Sequence, residues 1–126
     1  MIARVRGVLV LISAVMAAAL LAACGSEGVD TPGADEAVQE GAQIFSERCS
    51  GCHTLKAAGT QGTANRSQRT QGPNLDQRKE TYDDAIYAIR NGGFSGAIMP
   101  QNIAVGDDAD KVARFVEQYS GSDVQD

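Results

Sequence analysis

Apolar positions are distributed very unevenly along this chain. After Arg4 and Arg6 comes an unbroken run of apolar and small residues from Gly7 to Ala23. Beyond it, apolar residues thin out and recur with helical spacing in three places. In "DEAVQEGAQIFSERC", Val38, Gly41, Ala42 and Phe45 follow the i, i+3, i+4, i+7 pattern of one helix face, with Asp35 placed as a cap. In "TYDDAIYAIRNGG", Tyr82, Ala85, Ile86 and Ile89 share a face. Thr81 suits the cap there, Asp83 and Asp84 suit the positive end of the helix dipole, and Gly92 and Gly93 stop the helix. In "DDADKVARFVEQYSG", an acidic start precedes a stripe of Val112, Phe115, Val116 and Tyr119, with Gly121 at the exit. No segment alternates convincingly as a strand. The pattern predicts a small all-α domain built on three main helices.

The segments between are polar. "GSEGVDTPGA", broken by Pro32, predicts a flexible tether with a reach of roughly 15–20 Å if it behaves as a Gly-rich coil. "GTQGTANRSQRTQGPN" predicts a long loop with nothing to bury, and long loops in compact domains are usually functional or disordered. Within the loop 57–71, Arg66 and Arg69 make a local positive patch that reads as a solvated loop in preference to a docking surface. Four parts are expected: 1–23, an export signal; 24–34, a tether; 35–121, the folded domain; and 122–126, a disordered tail. With three Phe, three Tyr and no Trp, the domain has a thin core. Small domains bury too little surface to be comfortable, so an apolar non-protein group in the middle would help.

The N-terminal run reads as a secretory signal: a basic start, a short apolar stretch and small residues at its end. It is short for a membrane span, which needs about 20 apolar residues. An uncleaved anchor is the competing reading. Leu21-Ala22-Ala23-Cys24 resembles the lipobox of bacterial lipoproteins, which implies that Cys24 is acylated and becomes the new N-terminus. That reading also accounts for an odd cysteine in an exported chain. Losing residues 1–23 removes two arginines and no acid, so the formal charge moves from −5 to −7. An acidic exported domain argues against nucleic-acid binding and suits a partner met through complementary charge.

The chemistry concentrates in "SERCSGCHTL". The chain has three cysteines and one histidine, and Cys49, Cys52 and His53 fall within five residues. A structural zinc site needs four ligands, and no further cysteine or histidine remains in the domain to complete one. A dithiol redox site belongs at a helix start in a strand–helix–strand setting, whereas the residues before Cys49 read as helix. Covalent attachment of haem c explains all three residues: two thiols spaced to reach the two vinyl groups, and an imidazole next to them to ligate iron.

With that motif in view, the chain resembles the class I monohaem c-type cytochromes. Gly41, Phe45, Cys49, Cys52 and His53 match the family's first helix and haem motif. Gly72-Pro73-Asn74-Leu75 resembles its G-P-x-L segment, and Asn91-Gly92 followed by Met99-Pro100 resembles its N-G…M-P loop. Phe115 and Tyr119 sit where the family's terminal helix packs on the first. The resemblance implies a cytochrome c fold around one haem, held through Cys49 and Cys52 and ligated by His53. It also implies that the Pro73 carbonyl accepts a hydrogen bond from His53 Nδ1, which raises the ring's donor strength. Met99 is the remaining methionine once Met1 and Met16 leave with the signal, and no second histidine exists, so it is the expected sixth ligand. Gly41 is expected to admit close approach of the terminal helix, with Phe115 against the gap.

The expected function is single-electron transfer, not enzymatic turnover. The lipid would hold a monomer at the outer face of a bacterial membrane, facing the periplasm or its equivalent. Family analogy supplies the partners: a quinol-oxidising complex as donor and a terminal oxidase or soluble oxidoreductase as acceptor. Two alternatives stand beside this: the haem subunit of a larger dehydrogenase or oxidase, and a gas- or peroxide-responsive haem protein with a displaceable Met99.

Overall fold

A computed structural model describes residues 28–62, 72–94 and 98–124. The expected export signal 1–23, Cys24, Arg66, Arg69 and residues 125–126 lie outside the described residues. Three helices dominate: α1, Glu36–Arg48; α2, Tyr82–Asn91; and α3, Asp107–Tyr119. Two two-residue strands, β1 (Thr54–Leu55) and β2 (Thr60–Gln61), pair antiparallel, and short 3-10 turns cover Lys56–Ala58 and Leu75–Gln77. The all-α reading holds; the small hairpin is too short to leave an alternating signal.

Helices α1 and α2 begin with the side-chain caps that their sequences direct. The Asp35 carboxylate accepts the Val38 N–H at 2.9 Å, and Thr81 Oγ1 accepts the Asp84 N–H at 3.1 Å. Both satisfy an N–H that the first turn leaves unpaired. Gly92 ends α2 in the left-handed region at φ 77°. Helix α3 differs: Gly106 precedes it without a side-chain cap, and Asp107, Asp108 and Asp110 place negative charge at its positive end.

The core lies where α3 crosses α1 and packs on α2. Val38, Ala42 and Phe45 of α1 meet Ala109, Val112, Ala113, Phe115 and Val116 of α3, while Ala85, Ile86 and Ile89 bring in α2. The crossing is close because Gly41 has no side chain. A Cβ there would lie well inside contact distance of the Lys111 carbonyl oxygen, with Val112 N 3.1 Å away. The gap is therefore filled by α3 backbone at Lys111, one turn before the expected Phe115. Phe115 packs against Phe45 instead, edge to face at 5.6 Å. The ion pairs Arg48–Asp108 and Lys111–Glu40 brace the crossing at its rim, where partly exposed charges contribute about 1 kcal/mol or less.

Three expectations need correction. The last part of the supposed tether is docked: Val29 and Ala34 pack on the core, Asp30 N–H donates to the Ala57 carbonyl at 2.9 Å, and Tyr119 Oη donates to the Pro32 carbonyl at 3.0 Å. The supposed tail is docked as far as Asp123. Gly121 N–H donates to Leu75 O and Asp123 N–H to Asp76 O, each at 2.8 Å, and Lys56 pairs with Asp123. In both segments backbone groups find partners on the folded body, a use of polar sequence that composition does not reveal. The 57–71 loop also begins with buried residues, Ala58 and Thr60, because the hairpin folds them inward.

Substituting Gly41→Ala should lower stability by roughly 1–3 kcal/mol through overpacking, although alanine is the better helix former by about 1 kcal/mol. Denaturant unfolding measures this; an unchanged or raised midpoint would refute the close-crossing account.

Candidate functional site

The residues after α1 fold back at once. Cys49 N–H still bonds the Phe45 carbonyl at 2.8 Å, and the Cys49 carbonyl then accepts from both Cys52 N–H (3.1 Å) and His53 N–H (2.9 Å). This turn brings both thiols and the imidazole to the foot of the helix. The hairpin then fixes the chain beyond His53. Buried Thr60 Oγ1 lies 3.1 Å from the His53 carbonyl and accepts the Leu55 N–H at 3.1 Å, while Thr54 Oγ1 donates to Gln61 O at 2.7 Å.

A second segment, arriving from the far side of the loop, runs parallel to the first. Gly72 N–H donates to the Cys52 carbonyl at 2.9 Å, and Thr54 bridges to Asn74. Between those two contacts, His53 Nδ1 lies 3.1 Å from the Pro73 carbonyl oxygen. A carbonyl has no proton to give, so the hydrogen resides on Nδ1 and Nε2 keeps its lone pair. Gly72 is required for this approach. A Cβ on it would fall on the His53 ring, with Nδ1 and Nε2 both 2.6 Å away. From the sequence alone Gly72 has no part in the site beyond its place directly before Pro73; the close approach to the ring gives it one.

Electrostatics support a neutral, ligating imidazole. Burial lowers the His53 pKa below its ordinary value, opposed by the Pro73 hydrogen bond and by Glu80. Cys49 is buried, and burial, then Cys52, pushes its thiol up to about 11. Reactive dithiols depend on a lowered pKa, so a raised one argues against thioredoxin-type exchange. Cys49 and Cys52 are not joined by a disulfide. The donor set thus consists of two thiols and one imidazole nitrogen with a free lone pair, beside a glycine that leaves room for the ring. These residues fit covalent haem c.

Met99 comes from a different segment and is not part of the hydrogen-bonded His53–Pro73 unit. It is partly buried against the core. A Cβ on Gly92 would sit 2.7 Å from the Met99 carbonyl oxygen, so the glycine that ends α2 also lets the Met99 segment lie close. Asn102 N–H donates to Ile89 O at 2.9 Å and ties the following turn to the same helix.

The sequence profile of the family described as Cytochrome c matches residues 38–120. This chain belongs to the cytochrome c family. Among solved structures, this cytochrome is similar to the c-type cytochrome SorU from Sinorhizobium meliloti. The two share 32% identity with a TM-score of 0.55, covering 68% of this chain and 93% of that one. No curated protein matches the chain. Membership makes it a haem-based electron-transfer protein of the small all-α cytochrome fold, in a family usually exported and implying covalently bound haem c.

In this cytochrome, Gly72→Ala should displace the imidazole and reduce covalently bound haem. The haem content of purified, denatured protein, read by absorption against the parent, checks this; parental content with an unchanged axial-ligand spectrum would contradict it.

Proposed function

We propose that this cytochrome c is a single-electron carrier holding one haem through Cys49 and Cys52, with His53 and Met99 as axial ligands. One observation carries the reading: Pro73 occupies His53 Nδ1 and leaves Nε2 as the ring's free donor atom. When bound, haem c supplies an iron that exchanges one electron between its ferrous and ferric states. The chain's own residues do the rest. The Pro73 carbonyl increases the imidazole's donor strength, and burial keeps that imidazole uncharged. Met99 is the remaining candidate for a second iron ligand, and a thioether in that role would raise the reduction potential relative to a second histidine.

The lipobox-like Leu21-Ala22-Ala23-Cys24 supports a lipid anchor on Cys24, holding the domain at the outer face of the bacterial cytoplasmic membrane. Because Val29 is already packed on the domain, the free leash is shorter than composition suggests. Extended chain spans at most about 3.6 Å per residue, so the carrier stays close to the bilayer and to membrane-bound partners. A quinol-oxidising complex as donor and a terminal oxidase or soluble oxidoreductase as acceptor suit that position. Among the described residues no helix is long and apolar enough to cross a membrane.

Two measurements test this reading. Met99→Ala should lower the midpoint potential and open the ferrous protein to carbon monoxide; an unchanged potential with no ligand uptake would exclude Met99 as ligand. Cys24→Ser should move the protein from the membrane to the soluble fraction, with loss of the acyl mass from the intact chain. Retention on the membrane without that mass would favour an uncleaved anchor.

A further inference from the structure

Asp76 is one of the most deeply buried side chains in the molecule, at 1% exposure, yet it lies in a polar stretch and outside the haem motif. Its carboxylate accepts the Lys56 backbone N–H, with Oδ1 at 3.0 Å and Oδ2 at 3.3 Å, and the Ser122 hydroxyl at 3.1 Å. The Lys56 bond spans the same sequence separation, 20 residues, as the His53–Pro73 bond. Cys52 with Gly72 and Thr54 with Asn74 keep that register. Two short segments therefore run side by side from Cys52 to Lys56 and from Gly72 to Asp76, and the imidazole–carbonyl bond is one rung of the ladder.

The ladder has no backbone acceptor at its far end. Leu75–Gln77 turns into a 3-10 helix, so its carbonyls leave the pairing direction, and the Asp76 Oδ atoms take the Lys56 N–H instead. The same carboxylate is held from behind by Ser122, on a tail whose Asp123 N–H bonds Asp76 O. We propose that Asp76 is a positioning residue for electron transfer: it closes the ladder, fixes the separation of the two segments, and so holds the Pro73 carbonyl on His53 Nδ1. This rests on His53 being the haem ligand. Loss of the closing rung leaves the partly buried Lys56 N–H without this partner and frees the 72–76 segment to move away from the ring. The imidazole then becomes a weaker donor, which favours the ferrous form and raises the midpoint potential.

The test uses the intact holoprotein and two readouts, solvent exchange of the His53 Nδ1–H by proton NMR and the midpoint potential. Asp76→Ala should speed that exchange about tenfold, the scale of about 1 kcal/mol that one lost hydrogen bond represents. Asp76→Asn keeps an oxygen for Lys56 N–H and should exchange at nearly the parental rate. The potential should be higher in Asp76→Ala than in Asp76→Asn. Both variants lose the same charge, so that difference isolates the hydrogen bond from simple electrostatics.

Should Asp76→Ala not fold, Lys56→Pro removes the donor instead. Lys56 opens a 3-10 turn and Leu55 before it is extended at φ −155°, ψ 111°, the backbone that a residue preceding proline adopts. Lys56→Pro should reproduce the fast exchange, while Lys56→Ala, which loses only the exposed pair with Asp123, should not. Parental exchange in Asp76→Ala or Lys56→Pro overturns the proposal, as does an Asp76→Asn potential as high as that of Asp76→Ala. A parental Nδ1–H resonance without an iron-induced shift would instead sink the ligation of His53, and the exchange comparison would still judge the ladder.

Discussion

The contact on which the rest of this structure depends is the backbone crossing of α1 and α3 at Gly41. Interiors are packed like organic crystals, so a missing side chain at one point sets how near two helices come along their whole shared length. That nearness lets Phe45 reach Phe115, whose ring also meets Tyr119 one turn further along α3 at 5.5 Å. It also fixes the direction in which α1 ends. The two cysteines and the histidine follow directly from that end, so the position of the chemistry is inherited from a helix crossing eight residues earlier.

The site itself is held by a different device. Its frame is a short parallel pairing between the residues around the imidazole and the residues around Pro73, and its rungs mix backbone and side-chain hydrogen bonds. Such bonds contribute only about 1 kcal/mol each on balance, but an unpaired buried group costs more than a made bond returns. The arrangement is therefore specified less by the strength of any one rung than by the penalty for leaving one open. Asp76 and Thr60 matter in this sense: each is a buried polar side chain inserted where the backbone alone could not complete the pairing.

The two ends of the described chain show how far composition can mislead. Small, polar and glycine-containing stretches look like tether and tail because they contain little to bury. Yet Val29 packs on the core, and Gly121 and Asp123 bond backbone carbonyls of the turn at Leu75–Gln77. Docking of this kind needs only carbonyls and N–H groups placed at the right distance, and every residue type has those. Its effect is to brace Asp76 from behind and, for the proposed membrane-held carrier, to shorten the leash.

The sequence by itself determined the helices, their caps and their buried faces, because periodicity and capping are local properties of neighbouring residues. It determined the fold class and the chemistry for the same reason: Cys49, Cys52 and His53 are close in sequence, and no other histidine competes with the one beside the thiols. The tertiary structure decided what depends on residues far apart in the chain. It set the Lys111 carbonyl, not Phe115, against Gly41, placed Gly72 beneath the imidazole, and drew an inconspicuous Asp76 into the interior. Nothing in the types of these residues marks such roles. They follow from register between segments, and register exists only once the chain has folded.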